Sequence, residues 1–144
     1  MDKPQKPGIS SMELKRNRNS VYQIGYHLVW CVKYRKQILT GQIAEDMREL
    51  LQKISNDNNF TIEELEVMPD HVHLFVTATP NHLIADMVKA LKGVSARFLF
   101  KKHPDLKNQL WGGHLWNPSY YVGTIGHISE ETVKKYIESQ KVGE

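Results

Sequence analysis

The sequence has little cysteine and no long apolar run, and each shortage excludes a class of protein. Cys31 is the one cysteine among 144 residues, which excludes an internal disulfide and a thiolate cage for zinc or an iron–sulfur cluster. No apolar run reaches the roughly 18 residues that span a bilayer, and residues 1–20 lack the apolar core of a signal peptide. We therefore expect a cytoplasmic protein, neither exported nor embedded in a membrane, in which any metal uses histidine and oxygen ligands.

The remaining composition is that of one ordinary domain. Apolar residues make up 40% of the chain and charged residues 24%, at a length that can bury a single core. The net charge of +3 permits a phosphate-bearing partner without requiring one. Basic residues with Pro, Gly and Ser crowd residues 1–20, which predicts a flexible basic arm ahead of a domain at residues 21–144. The arm is either a solvated tail or a contact for nucleic acid.

Hydrophobic periodicity predicts a regular order of elements after the arm. Strands are predicted over residues 21–35, 60–68 and 71–79, with a strand or strand pair over 110–125, and helices over 40–59, 83–102 and 129–140. The order β-α-β-β-α-β-α is that of the split βαβ, ferredoxin-like (RRM-like) fold with an added C-terminal helix. We therefore expect an α+β protein in which two helices cover one face of an antiparallel sheet and leave the other face free for a ligand.

Two histidines, His71 and His73, are the first candidates for chemistry. They stand two apart on a predicted strand, so their side chains emerge on one face, opposite the apolar Val72 and Leu74. Two imidazoles so placed can share a metal ion, or they can be two exposed histidines with no ligand. The preceding Asp70 either holds the ring of His71 as a hydrogen-bond acceptor or only shapes the turn.

The last predicted helix offers a phenol and an amide together. Tyr136 and Gln140 are four residues apart and share one helical face, although an amphipathic anchor and a solvated end residue would show the same spacing. Two imidazoles and an amide oxygen form a neutral ligand set that suits Mg²⁺ or Mn²⁺, with positions left for phosphate oxygens. A tyrosine beside such an ion could attack a phosphodiester and form a covalent phosphotyrosine bond.

Several stretches together resemble the single-tyrosine transposases of small bacterial insertion sequences (IS200-like), which belong to the HUH nuclease superfamily. The resemblance covers roughly residues 20 to 141, and it is carried by YHLVWCVKYRK, EVMPDHVHLFV, LKGVSARFLF, LWGGHLWNPSYYVGTIG and VKKYIESQ. HVH fills the His-hydrophobic-His motif, and YIESQ is similar to the segment that holds the family's nucleophile. The resemblance therefore implies that His71, His73 and Gln140 bind the metal and that Tyr136 is the nucleophile.

The resemblance also implies a substrate and an assembly. Members of the family cut and rejoin single-stranded DNA at element ends marked by hairpins, through a 5′-phosphotyrosine intermediate. They act as homodimers in which the tyrosine helix can be exchanged between subunits, near the nucleoid of a bacterial or archaeal cell. The family further implies that a short guide in the element's own DNA pairs with the target.

Cationic and aromatic side chains could contact that DNA. Six cations are candidate phosphate contacts, and four aromatic rings could stack on bases or belong to the core: Lys33, Arg35, Lys36, Lys89, Lys92 and Arg97, with Trp111, Trp116, Tyr120 and Tyr121. A plain solvated surface is the alternative for the charges.

Two other functions are compatible with the sequence. One is a ferredoxin-like module that binds single-stranded nucleic acid without chemistry. The other is a domesticated relative that processes chromosomal hairpin repeats instead of moving its own element.

Overall fold

A four-stranded antiparallel sheet organises the protein. The computed structural model describes residues 14–124, 130–140 and 142. In chain order the strands are β1 (Lys15–Arg16), β2 (Val21–Tyr22), β3 (Ile24–Cys31), β4 (Thr61–Met68), β5 (His71–Ala78) and β6 (Tyr121–Gly123), and the helices are α1 (Gly41–Asp57), α2 (Ile84–Lys102), α3 (Leu106–Gln109) and α4 (Glu130–Ser139).

The topology confirms the predicted fold class. The main sheet has the order β4-β5-β3-β6 with antiparallel neighbours throughout, and the chain runs β3-α1-β4-β5-α2-β6 before the added helix α4. This is the ferredoxin-like α+β arrangement. None of the described helices is long and apolar enough to cross a membrane.

Alternation along the two central strands separates the core from the opposite face. Leu28 and Trp30 of β3, and Val72 and Leu74 of β5, have no exposed surface and belong to the core that the sheet shares with α1 and α2. Burial of a large apolar side chain stabilises a fold by roughly 1.5–3 kcal/mol, so this pattern fixes which face of the sheet meets the helices. The residues that alternate with these four along β3 and β5 therefore point to the opposite face of the sheet.

Of the long strand or strand pair predicted over residues 110–125, the described residues, which end here at 124, form only one short strand, β6, and an isolated bridge. The chain there forms a 3₁₀ turn at Trp111–Gly113 and an isolated bridge from Trp116 to Val32 before the three-residue strand β6. Gly112 and Gly113 have φ of +79° and +70°, a left-handed backbone that cannot continue a strand. The first strand is likewise shorter than predicted because the turn after Cys31 includes Tyr34 and Arg35 with positive φ.

Part of the predicted arm is structured. Strands β1 and β2 pair in a small antiparallel hairpin, so residues 14–20 lie within an ordered segment where the sequence predicted flexibility. The Asn17 side chain accepts hydrogen bonds from the Asn19 amide at 3.0 Å and the Ser20 hydroxyl at 2.7 Å, which closes the turn. Residues 1–13, and the predicted helix start at 129, lie outside the described residues, and the domain division at residue 20 stays a prediction.

A buried carboxylate ties the two helices together. Asp46 of α1 is 2% exposed and accepts hydrogen bonds from His103 Nε2 at 2.5 Å, Gln42 Nε2 at 2.9 Å and Lys102 Nζ at 3.0 Å. The hydrogen bond from His103, followed by those from Gln42 and Lys102, holds the pKa of Asp46 below its ordinary range. Lys102 is the last residue of α2 and His103 follows it, so these hydrogen bonds join α1 to the end of α2.

Replacing this carboxylate should lower stability in a pH-dependent way. A carboxyl group whose pKa is depressed on folding stabilises the protein above its unfolded pKa of about 4, and this contribution is lost as the pH falls through the folded value. We therefore expect Asp46→Asn to lower the free energy of unfolding at pH 7, and the difference from wild type to shrink below about pH 4.

Urea unfolding at pH 7 and below about pH 4 checks this expectation. Asp57→Asn is the matched control, because Asp57 lies on the same helix and its pair with Lys53 at 3.2 Å is exposed. Loss of that pair should cost less than about 0.5 kcal/mol. Equal destabilisation by the two variants at pH 7 would contradict the role given to Asp46.

Candidate active site

The two histidines of the HVH motif lie at the middle of the sheet, on the face away from α1 and α2. His71 stands opposite Cys31 of β3 and Met68 of β4, and His73 stands opposite Val29 and Glu66. Both histidines are partly exposed, whereas the intervening Val72 is fully buried. The face of the sheet that carries His71 and His73 is the open face, and the strand register determines which residues lie side by side on it.

Asp70 holds the ring of His71. Asp70 Oδ1 lies 2.8 Å from His71 Nδ1, and Asp70 Oδ2 lies 3.3 Å from Arg35 Nε. A carboxylate can only accept, so His71 carries a proton on Nδ1, and in the neutral ring this tautomer leaves Nε2 for a ligand. This contact favours the first of the two interpretations of Asp70, which also lies in the turn between β4 and β5. Arg35, a candidate DNA contact, is used in this ion pair.

His73 has a neighbour that sequence reasoning missed. Its Nε2 lies 3.3 Å from Nδ1 of His27, a residue of β3 that is 7% exposed and packs its ring 4.7 Å from the ring of Phe75. The Nδ1 of His73 lies 3.6 Å from a carboxylate oxygen of Glu66. One N–H serves the contact between the two imidazoles, so their tautomers must be complementary. Only the register of β3 against β5 reveals this pair.

Helix α4 brings Tyr136 to the open face. The Tyr136 ring lies 5.9 Å from the ring of Tyr121, and its hydroxyl lies 3.0 Å from the Ser119 hydroxyl. Tyr121 stands opposite Val29, which stands opposite His73, so Tyr121 lies on the same face of the sheet as His73, two strands away. Neighbouring strands are about 4.8 Å apart, which puts the backbones of Tyr121 and His73 about 10 Å apart.

The protonation of Tyr136 reflects this partly covered position. Burial raises the pKa of the phenol, and the hydrogen bond with Ser119 opposes that effect. The resting side chain is therefore a neutral phenol at physiological pH, held in place by the hydroxyl of Ser119.

Gln140, the third predicted ligand, points back along its own helix. Its amide nitrogen lies 3.1 Å from Ser139 Oγ and 3.4 Å from the Tyr136 carbonyl. Within residues 14–124, 130–140 and 142, no three His, Cys, Asp or Glu side chains come together as a metal-binding group. A metal at His71 and His73 must therefore take an amide, water or phosphate oxygen, and the open Nε2 of His71 fits such a site.

The candidate DNA contacts do not form one surface. Lys33 and Lys36 are partly exposed just after β3, and Lys89 and Arg97 are exposed on α2, in the helix layer. The Lys92 ammonium group instead donates hydrogen bonds to two backbone carbonyls inside the protein. Burial lowers the pKa of Lys92 to about 8.

The candidate stacking aromatics also divide between core and surface. Trp116 is 7% exposed and donates its indole N–H to Ser95 Oγ at 3.1 Å, so it belongs to the core. Tyr120 packs against the core, and Tyr121 is partly exposed on the open face beside Tyr136. Of these three residues, Tyr121 is the one placed near the candidate active site.

Comparison with known proteins identifies the family. The sequence profile described as "Transposase IS200 like" matches residues 20–140. The chain is 51% identical to the ISDra2 transposase TnpA of Deinococcus radiodurans over 132 residues, which cover 92% of this chain and 94% of that one. It is 30% identical to the transposase of insertion sequence IS200 from Salmonella typhimurium over 122 residues, covering 83% and 80% of the two chains.

Solved structures share the fold. The crystal structure of a candidate transposase from Deinococcus radiodurans R1 superposes with a TM-score of 0.83 at 48% identity, covering 90% of this chain and 99% of that one. A REP-associated tyrosine transposase bound to a REP hairpin superposes with a TM-score of 0.52 at 18% identity, covering 86% and 68%, and supports the fold alone. The match over nearly the whole chain shows that this protein belongs to the IS200-like transposase family.

Proposed function

We propose that this transposase cuts and rejoins single-stranded DNA with Tyr136 as its nucleophile. The observation that carries the proposal is the position of Tyr136 on the open face, beside Tyr121, whose strand β6 is separated from the strand of His71 and His73 by β3. A nucleophile and two imidazoles from distant parts of the sequence thus share one face of the sheet. Such convergence of a nucleophile with metal-ligating groups is what phosphodiester exchange needs.

The proposed reaction exchanges one ester for another. Tyr136 Oη bonds to the phosphorus, the bond from phosphorus to the 3′ oxygen breaks, the phenol proton passes to solvent and the 3′ oxygen takes up a proton. The 5′ end is then held as a phosphotyrosine, and a 3′ hydroxyl attacks it in the reverse step to rejoin the strand. One phosphoester bond replaces another at each step, so rejoining needs no nucleotide cofactor.

Mg²⁺ or Mn²⁺ is the proposed cofactor, held by His71, His73 and Gln140. When bound, such an ion supplies positive charge that offsets the charge developing on the phosphate. The hydrogen bond to Asp70 selects the neutral His71 tautomer with its proton on Nδ1, which would leave Nε2 for the metal, and the amide oxygen of Gln140 would complete the ligand set.

DNA hairpins at element ends are the proposed partner, and a homodimer is the proposed assembly. The REP-associated tyrosine transposase, which has this fold, is described as bound to a hairpin. Helix α4 would serve the open face of its own subunit or that of a second copy. Lys33 and Lys36 follow Cys31, the residue of β3 that pairs with His71, and are proposed phosphate contacts, with Lys89 and Arg97 as proposed contacts on the helix layer.

Removing the phenol oxygen should abolish covalent chemistry while leaving DNA binding intact. Tyr136→Phe keeps the ring that packs on Tyr121 but has no nucleophile. We expect wild type with Mn²⁺ and a hairpin oligonucleotide to form an SDS-resistant adduct and the variant to form none, at unchanged hairpin affinity.

Tyr26→Phe is the matched control, because Tyr26 lies on β3 and packs against the core. It should form the adduct as wild type does. An adduct that persists in Tyr136→Phe would show a different nucleophile. Hairpin binding without cleavage by wild type, with either metal, would favour the non-catalytic binding module.

Metal binding should depend on DNA, because the proposed protein ligands are all neutral. Titration calorimetry with Mn²⁺ should show weak binding to the free protein and tighter binding once hairpin DNA contributes phosphate oxygens. His71→Asn should weaken the DNA-dependent binding by about tenfold or more.

His114→Asn is the control, since His114 is exposed and outside the site. It should bind Mn²⁺ as wild type does. Tight Mn²⁺ binding by the free protein, or equal loss in both variants, would argue against the proposed ligand set.

Lys89 and Arg97, the candidate DNA contacts on the helix layer, should contribute to hairpin affinity through their charge alone. If Lys89 and Arg97 each contact a phosphate, replacing both with Gln should reduce the slope of log affinity against log salt by about 0.7–0.9 for each lost contact. Fluorescence anisotropy with a hairpin at several salt concentrations measures this slope. Lys53→Gln, an exposed lysine of α1 that pairs with Asp57, should leave the slope unchanged. A double variant with the wild-type slope would remove α2 from the DNA interface.

A further inference from the structure

The segment just before β6 is fastened to the end of β3. The Lys33 amide donates to the Leu115 carbonyl at 2.8 Å, and the Asn117 amide donates to the Cys31 carbonyl at 2.9 Å. Val32 and Trp116 form a bridge between these two contacts. These contacts therefore hold the backbone at the start of residues 117–119 in a fixed position, although no regular strand forms there.

Lys92 holds the same segment from the helix side. Its Nζ donates a hydrogen bond to the Asn117 carbonyl at 2.6 Å and another to the Ser119 carbonyl at 3.1 Å. Within the segment, the Ser119 amide donates to the Asn117 side-chain oxygen at 3.0 Å. A partly buried ammonium group that bridges two carbonyls stabilises a loop conformation, because it gives both carbonyls a hydrogen-bond donor in the absence of regular structure.

The segment presents one hydroxyl to the candidate nucleophile. Ser119 Oγ lies 3.0 Å from Tyr136 Oη, and the Tyr121 ring lies 5.9 Å from the Tyr136 ring. One contact thus fixes the oxygen of the phenol and the other its ring. Both contacts come from residues 119–121, so the position of the phenol depends on how this stretch of backbone is held.

We propose that residues 117–119 form a seat for the Tyr136 hydroxyl, in which Ser119 contacts the reacting oxygen and Lys92 positions Ser119. The proposal rests on the function proposed above, because it takes Tyr136 as the nucleophile. A hydroxyl both donates and accepts, so Ser119 can hold the Tyr136 oxygen wherever the proton lies. Fixing an attacking oxygen in place lowers the entropic part of the barrier, which is the physical benefit of the seat.

The seat gives Lys92 a role different from a phosphate contact. Two of its three N–H groups are used by the Asn117 and Ser119 carbonyls, so a DNA phosphate would have to compete with both. Lys101, an exposed lysine of the same helix, makes no such hydrogen bonds to the described part of the chain and provides the matched control.

Single-turnover adduct formation at saturating hairpin DNA and Mn²⁺ tests the role of Ser119. We expect Ser119→Ala to slow the reaction about tenfold with hairpin affinity unchanged, and Ser119→Thr, which keeps the hydroxyl, to restore most of the rate. A Ser119→Ala variant that reacts at the wild-type rate, or a Ser119→Thr variant as slow as Ser119→Ala, would overturn the proposal.

A spectroscopic arm tests the seat without any reaction. With 3-fluorotyrosine placed at position 136 of the full chain, the ¹⁹F resonance of the free protein should move in Ser119→Ala and stay near its wild-type position in Ser119→Thr. If wild type forms no adduct, the proposed function fails, yet the resonance still reports whether the seat exists. A resonance unmoved in Ser119→Ala would overturn the seat whether or not the adduct forms.

Lys92→Met separates positioning from DNA binding. We expect Lys92→Met to slow adduct formation and to move the ¹⁹F resonance. The salt dependence of its hairpin affinity should stay as in wild type. Lys101→Met should change neither the rate nor the resonance. A lower hairpin affinity and a smaller salt slope, with the rate at saturating DNA and the resonance unchanged, would make Lys92 a phosphate contact and overturn its positioning role. Thermal unfolding of both variants checks that Lys92→Met is folded.

Discussion

The alternation of side chains across β5 is the constraint on which the rest of the structure depends. Val72 and Leu74 must face the helices, because they complete the core, and this requirement turns His71 and His73 to the opposite face. The strand lies between β4 and β3, so both histidines are flanked by ordered neighbours on either side. The same burial that stabilises the fold therefore positions the imidazoles, at no separate cost in ordering.

The open face is completed by elements from other parts of the chain. Asp70 orients His71 from the preceding turn, and His27 contacts His73 across the strand pair. Helix α4 contributes Tyr136, which packs on Tyr121 and meets the hydroxyl of Ser119. The helix layer behind the sheet, joined by the buried Asp46, gives these residues a rigid base on which to act.

Sequence reasoning succeeded where periodicity was strong and failed where contacts are non-local. The bounds of α1, β4, β5 and α2 agree with prediction to within about two residues, since their apolar spacing matches one period throughout. Aromatic residues alternate with glycines within residues 110–125, yet Gly112 and Gly113 adopt backbone conformations that no strand allows. His27 and Ser119 were missed because their importance comes from register and loop path, which a single sequence does not display. Tyr136 is a candidate because of its spacing to Gln140 and the family resemblance, and its role as nucleophile stays a prediction.

The central claim is that Tyr136 and the two histidines act on one phosphate. Anomalous scattering from Mn²⁺ in crystals of the protein with a single-stranded hairpin substrate tests this most directly, because it locates the ion and the reacting atoms together. The account predicts an ion at coordination distance from imidazole nitrogens of His71 and His73. The phosphate that contacts this ion should also contact a Tyr136 hydroxyl, from the same or the second subunit. An ion bound elsewhere, or a scissile phosphate out of reach of every Tyr136 hydroxyl in the complex, would contradict it.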